Sequence, residues 1–134
     1  MADDLTWLLR RLVDTVPHTR SALLLSSDGI PKFWHGLDND GADTLAALAS
    51  GLCSLAQQVG TRFSGGDGVR QVVSELGEVI LLVTAASEGT VLTVLAGRDV
   101  DTGILSYEMG RLRTQVPAYL ATPTRYRGAP GYAD

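Results

Sequence analysis

A chain of 134 residues that is 45% apolar is long enough for one domain with its own core, with no need of disulfides or a structural metal. Its net charge of −4 argues against a binder of nucleic acid or an anionic membrane, which would carry a basic face. The single Cys53 suits a reducing compartment, Met-Ala-Asp-Asp lacks the basic start of a secretory signal, and no apolar run nears the ~20 residues of a membrane span, so a cytoplasmic protein without membrane insertion is expected.

Leu5, Leu8, Leu9, Leu12, Val13 and Val16 recur at the spacing of one helix face, and Pro17 ends that helix. Asp3 or Asp4 suits its N-cap. Two strands follow, about residues 21–26 and 30–35, around Asp28-Gly29, a dipeptide favoured in hairpin turns whose two central residues take positive φ. Pro31 and Lys32 mark the second as an edge strand. The polar link Leu37-Asp-Asn-Asp-Gly41 has helix-start chemistry.

A long helix is expected over residues 42–63, with Leu45, Leu48, Leu52, Leu55 and Val59 alternating in steps of three and four as a seam of the coiled-coil type. A second stripe of small residues, Ala46, Ala49, Cys53 and Ala56, widens its apolar surface, so the helix buries two sides, one on its own sheet and one on a partner. Gly51 inside it lowers helix propensity and permits close packing. The glycines around residue 65 break the helix, and three strands follow at about 69–76, 79–85 and 90–96, joined by Gly77-Glu78 and Glu88-Gly89 as a meander. A last helix, about 102–116 and capped by Asp101, carries Ile104, Leu105, Leu112 and Val116. Residues 1–121 are read as the domain and 122–134, rich in Pro, Gly and Ala, as a flexible tail.

Strand order follows from polarity. The first, fourth and fifth strands are apolar on both faces and belong in the centre, whereas Pro31-Lys32 and Arg70-Gln71 mark edges. With hairpins joining first to second, third to fourth and fourth to fifth, the order that satisfies both conditions is 2-1-5-4-3. This is an α+β fold, an antiparallel five-stranded sheet with helices on both faces in a three-layer α/β/α sandwich, topology α-β-β-α-β-β-β-α.

Catalytic chemistry finds no foothold. Ser26-Ser27-Asp28 needs a general base, and His18 and His35 are each isolated in sequence, so the hairpin turn accounts for these residues. Gly60-Thr-Arg-Phe-Ser-Gly65 fits a phosphate-loop frame, but Gly66-Asp67 replaces the Lys and hydroxyl that the chemistry needs, which leaves a helix C-cap. Asp38, Asp40 and Asp43 lack the rest of a calcium loop, and the histidines and Cys53 lack zinc spacing, so no metal and no cofactor is assigned. Phe33 and Trp34 point to opposite faces of an edge strand, either under helices or toward a partner. Arg62 and Arg70 flank the glycine turn, either as solvated charges or as arginine fingers reaching a nucleotide phosphate on a partner.

The order helix, hairpin, long helix, meander, helix, with "ALLLSSDGIPKFW", "LAALASGLCSLAQQV" and "GEVILLVTAASEGTVLTVLAG", resembles the roadblock/dynein light chain (Roadblock/LC7) family, bacterial members included, from about Leu5 to Tyr119. The resemblance implies the profilin-like roadblock fold and a homodimer in which the long helix and the third strand meet their copies. The interface residues it implies are Leu45, Leu48, Leu52, Leu55, Val59, Val69, Gln71 and Val73. It further implies a Ras-like small GTPase as partner, in a pathway with a sensor histidine kinase, with the protein acting as a non-catalytic scaffold or activator. The alternative is a small-molecule sensor, since the 2-1-5-4-3 order is shared with domains of the PAS type. Such a sensor needs a roomy pocket between sheet and helices.

Overall fold

The computed structural model describes residues 5–64, 66, 68–87 and 89–127, the side chains of residues 87 and 117–127 excepted. The elements are α1 (Thr6–Thr15), β1 (Thr19–Ser26), β2 (Pro31–His35), α2 (Asn39–Phe63), β3 (Gln71–Leu76), β4 (Val79–Ser87), β5 (Thr90–Gly97) and α3 (Thr102–Arg127). All strand pairs are antiparallel and the order is β2-β1-β5-β4-β3, as the polarity of the strands demanded.

The alternation of a pleated strand sorts the apolar residues between two cores. Ala22 and Leu24 of β1, Ile80 and Leu82 of β4, and Leu92, Val94 and Ala96 of β5 face α1 and α3. Leu23, Leu25, Leu81, Val83 and Val91 face α2. Leu5, Leu8, Leu9 and Leu12 close the first core from α1, with Leu105, Met109, Leu112 and Val116 from α3. Each such side chain contributes about 1.5–3 kcal/mol by leaving water. The three-layer sandwich is thus a consequence of β1, β4 and β5 being apolar on both faces.

Helix ends follow local chemistry at two of the three starts. The Asp38 carboxylate accepts from the Gly41 amide at 2.7 Å and starts α2 three residues earlier than expected. The Asp101 carboxylate accepts from Ile104 at 3.0 Å and starts α3. At α1 the N-cap position is Leu5, which provides no side-chain cap, while Asp3 and Asp4 lie outside the described residues. α3 continues beyond the expected end at Val116 to Arg127. Pro117 removes only one backbone bond, the one to the Arg113 carbonyl, and the helix spans that gap.

The β1–β2 connection differs from the expected two-residue turn. Gly29 has φ +91, but Asp28 is not left-handed. The Gly29 amide donates to the Ser26 carbonyl at 2.9 Å and the Ser26 amide to the Ile30 carbonyl at 2.8 Å. The result is a three-residue loop, a type I turn whose next residue is a left-handed glycine. The Ser26 hydroxyl donates to the Asp28 carboxylate and accepts from the Ile30 amide, which fills the turn from inside. By contrast, β3 and β4 are joined by Gly77-Glu78 alone, with Gly77 at φ +59 in the first central position.

Candidate functional site

The side of α2 turned to the sheet is built from small residues. Ala42, Ala46 and Ala49 are wholly buried, so the helix axis lies close to β1 and its neighbours. The small-residue stripe, read in sequence as a widening of the apolar surface, is in fact the side that packs. Among the seam residues, Leu45 belongs to this packed side and Leu52 is half-buried at its margin. Leu48, Leu55 and Val59 point away from the sheet, and Phe63 extends the row by one more turn. Their exposure runs from 59% at Val59 to 83% at Phe63. Open apolar rows of this kind are the surfaces that proteins use for contacts. Phe63 stands four residues beyond Val59, so the same spacing reaches it just before the glycine-rich break.

The second half of the surface is an edge. β3 ends the sheet, so its outer backbone groups have no strand beside them among the described residues. Val72 faces α2 and is half-buried, Val73 on the opposite face is about half exposed, and Leu76 at the strand end is equally open. Gln71 is exposed and Val69, just before the strand, half-buried. Leu52, Cys53 and Val72 line the margin of one core, which makes the exposed row of α2 and the β3 edge neighbouring parts of the molecule. Desolvation raises the Cys53 thiol above its ordinary pKa, so it is held protonated rather than as a nucleophilic thiolate.

Arg62, in the last turn of α2, and Arg70, just before β3, are both exposed. The Arg70 carbonyl accepts from the Thr84 hydroxyl at 2.7 Å, and that hydroxyl accepts from Arg113 at 3.2 Å. This relay ties α3, β4 and the chain entering β3 together. Arg113, absent from the sequence expectation, is a cation whose role only the packing of α3 on β4 makes visible.

Ser26, Ser50 and Ser64 hold turns and helix ends through hydrogen bonds. His35 pairs with Ala22, about 13 Å along β1 from Ser26, so it cannot act as the base of a Ser26 nucleophile. The Ser27 carbonyl accepts from Ser50 at 3.1 Å, fastening the hairpin turn to α2. Ser64 donates to the Gly60 carbonyl at 2.6 Å as a helix C-cap, where a phosphate loop would open a helix instead. Phe33 packs into the core under α1 and Trp34 into the core under α2, each half-buried, so both aromatics are spacers at the β2 edge. A cleft of about 200 Å³ between α2 and the sheet, lined by Ser27, Ser50, Cys53 and Thr90, is below the 300–1,000 Å³ of ligand pockets. Among the described residues no three His, Cys, Asp or Glu side chains converge, and no helix is long and apolar enough to cross a membrane.

The profile of the Roadblock/LC7 domain matches residues 5–96. A crystal structure of a Roadblock/LC7 domain from Streptomyces avermitilis is 55% identical, covers 88% of this chain and 98% of its own, and superposes with a TM-score of 0.86. A second Roadblock/LC7 domain from the same organism is 36% identical over 83% of this chain and 96% of its own, at 0.68. MglB of Myxococcus xanthus shares the fold at 15% identity and a TM-score of 0.76, over 87% of this chain and 95% of its own. No curated protein sequence matches. With the fold, the strand order and the profile in agreement over most of its length, the chain belongs to the Roadblock/LC7 domain family.

Proposed function

We propose that this protein is a non-catalytic homodimeric binding module that regulates or scaffolds a Ras-like small GTPase in bacterial, cytoplasmic signalling. The observation that carries the reading is the pairing of an open apolar row on α2 with an uncovered edge at β3. A row of leucines on one helix and a free strand on the same side of a domain are both met by a second copy of the chain, through an isologous contact. Leu48, Leu52, Leu55, Val59 and Phe63 then cover one another, while Val69, Gln71 and Val73 lie along the joined edges. Leu45, buried against its own sheet, supports the interface from beneath.

Family membership supports the GTPase as partner, and a sensor histidine kinase is proposed as the upstream component. Arg62 and Arg70 are assigned to the GTPase-facing surface, where guanidinium groups suit nucleotide phosphates. The cleft beside Cys53 is too small to favour the sensor alternative. The test mixes the purified protein with each Ras-like small GTPase of the same organism, loaded with GDP or with a GTP analogue. Regulation requires different affinities for the two forms, because a binder with equal affinity shifts no equilibrium. Arg62→Ala with Arg70→Ala is expected to weaken the complex and leave the dimer intact. Equal binding to both nucleotide states, with unchanged turnover, reduces the role to scaffolding; no binding to either form refutes the assignment.

A further inference from the structure

The β3 edge carries enough information to specify how two copies meet, given the homodimer proposed above, on which this inference rests. β3 and β4 are linked by a two-residue turn, with Leu76 opposite Val79. In such a hairpin the flanking pair exchanges both backbone hydrogen bonds, and bonded and non-bonded pairs alternate from there. The backbone groups of Leu76, Ser74 and Val72 therefore point at β4. Those of Glu75, Val73 and Gln71 point at the free edge.

Joining two identical edges into one antiparallel sheet needs a two-fold axis normal to the sheet. That operator leaves each face on its own side, so both copies of α2 land on one side and their exposed rows are brought toward each other. It also requires that directly opposed residues share a face, which restricts the register to steps of two in the residue sum. On the α1/α3 side lie Gln71, Val73 and Glu75, opposite Thr84, Leu82 and Ile80 of β4.

We propose that the dimer two-fold passes through Val73, setting Val73 against the partner's Val73 and Gln71 against the partner's Glu75. In this register every outward-pointing residue of β3 meets another outward-pointing residue, so all the free amides and carbonyls of Gln71, Val73 and Glu75 are satisfied. A two-fold through Ser74 sets Gln71 against the left-handed Gly77 of the turn, where the ladder ends. A two-fold through Val72 pairs Gln71 with Val73 but moves Glu75 beyond the start of the opposite strand. A two-fold through Glu75 opposes two carboxylates, which is unfavourable for directly facing strand residues. The Val73 register instead places an exposed apolar side chain at the centre and an amide beside each carboxylate.

Cysteine cross-linking in a Cys53→Ser background tests the register. At a hydrogen-bonded pair the two Cα atoms are about 5.5 Å apart, within the disulfide range. Val73→Cys is expected to convert to a covalent dimer on oxidation with copper phenanthroline. Ser74→Cys is expected to stay unlinked, its two copies being about 8 Å apart across the axis. Gln71→Cys mixed with Glu75→Cys should give a linked heterodimer, whereas neither links to itself. In the native background, Gln71→Glu should raise the dimer dissociation constant roughly two- to tenfold by facing like charges. Light scattering on each unoxidised variant separates the outcomes. A dimeric Val73→Cys protein that does not link, or a Ser74→Cys protein that does, overturns the register and leaves the dimer standing. A monomer in the unsubstituted protein overturns both.

Discussion

Thr84 and Thr93 are both buried threonines on central strands, and they have opposite circumstances. Thr84 on β4 receives a hydrogen bond from Arg113 and donates one to the Arg70 carbonyl, so its hydroxyl is fully used. Thr93 on β5 faces α2, is wholly buried, and its hydroxyl has no hydrogen-bond partner among the described residues. Burying an unpaired hydroxyl costs about 1–3 kcal/mol, whereas an apolar group of the same shape avoids that cost. Thr93→Val is therefore expected to raise the stability by about 1 kcal/mol in urea or thermal unfolding. Thr84→Val should lower it by a similar amount, because it strands the Arg70 carbonyl. If the two substitutions had the same sign, the difference between paired and unpaired hydroxyls would not be what governs these sites.

For α2 the physics lies in its asymmetry. Alanines on the inner side let the helix approach the sheet, and on the outer side leucine, valine and phenylalanine stand open. Gly51 lies on the exposed side, and a Cβ built there meets nothing within 4 Å. The close packing that the glycine permits is not used within the chain. Gly51→Ala is accordingly expected to stabilise the protomer by about 1 kcal/mol through helix propensity alone. Chemical denaturation of a Leu55→Asp background at low concentration reads this effect free of any dimer contribution. No gain there would mean that helix propensity is not what limits α2 at this position.

Across the whole molecule, two separate cores are stacked on one sheet and one side of the domain is left open. If a second copy covers that side, folding and association are linked, and the unfolding temperature depends on protein concentration. The native protein should show a rising Tm between micromolar and hundred-micromolar concentrations. Leu55→Asp should remove that dependence and halve the mass in light scattering, with the circular dichroism of a folded protomer retained because Leu55 is exposed. A concentration-independent Tm in a native protein of monomer mass would refute the homodimer.

Much of this fold could be read from residue order. A strand of Ala-Leu-Leu-Leu has no polar face to give to water, so β1 had to be central, and the placing of Pro31 and Gln71 then left one arrangement of hairpins. The Asp101 cap was legible because capping is a contact over three residues. The link Leu37–Gly41 showed helix-start chemistry without showing that Asp38 begins α2 three residues before the expected start. The place of Ser26 at a hairpin turn was also legible, because Asp28-Gly29 stands between two apolar runs. Periodicity nevertheless put Leu45 and Leu48 in one seam, although only the distance between α2 and the sheet decides which of them is buried. The Arg113–Thr84–Arg70 relay joins residues far apart in the chain, and no local pattern announces it. Sequence by itself determined the elements, their order and the apolar character of α2, because these follow from local propensity and from alternation along single segments. Only the tertiary structure decided which stripe of α2 is core and which is surface, and which backbone groups of β3 are free, because both depend on where a neighbouring element lies.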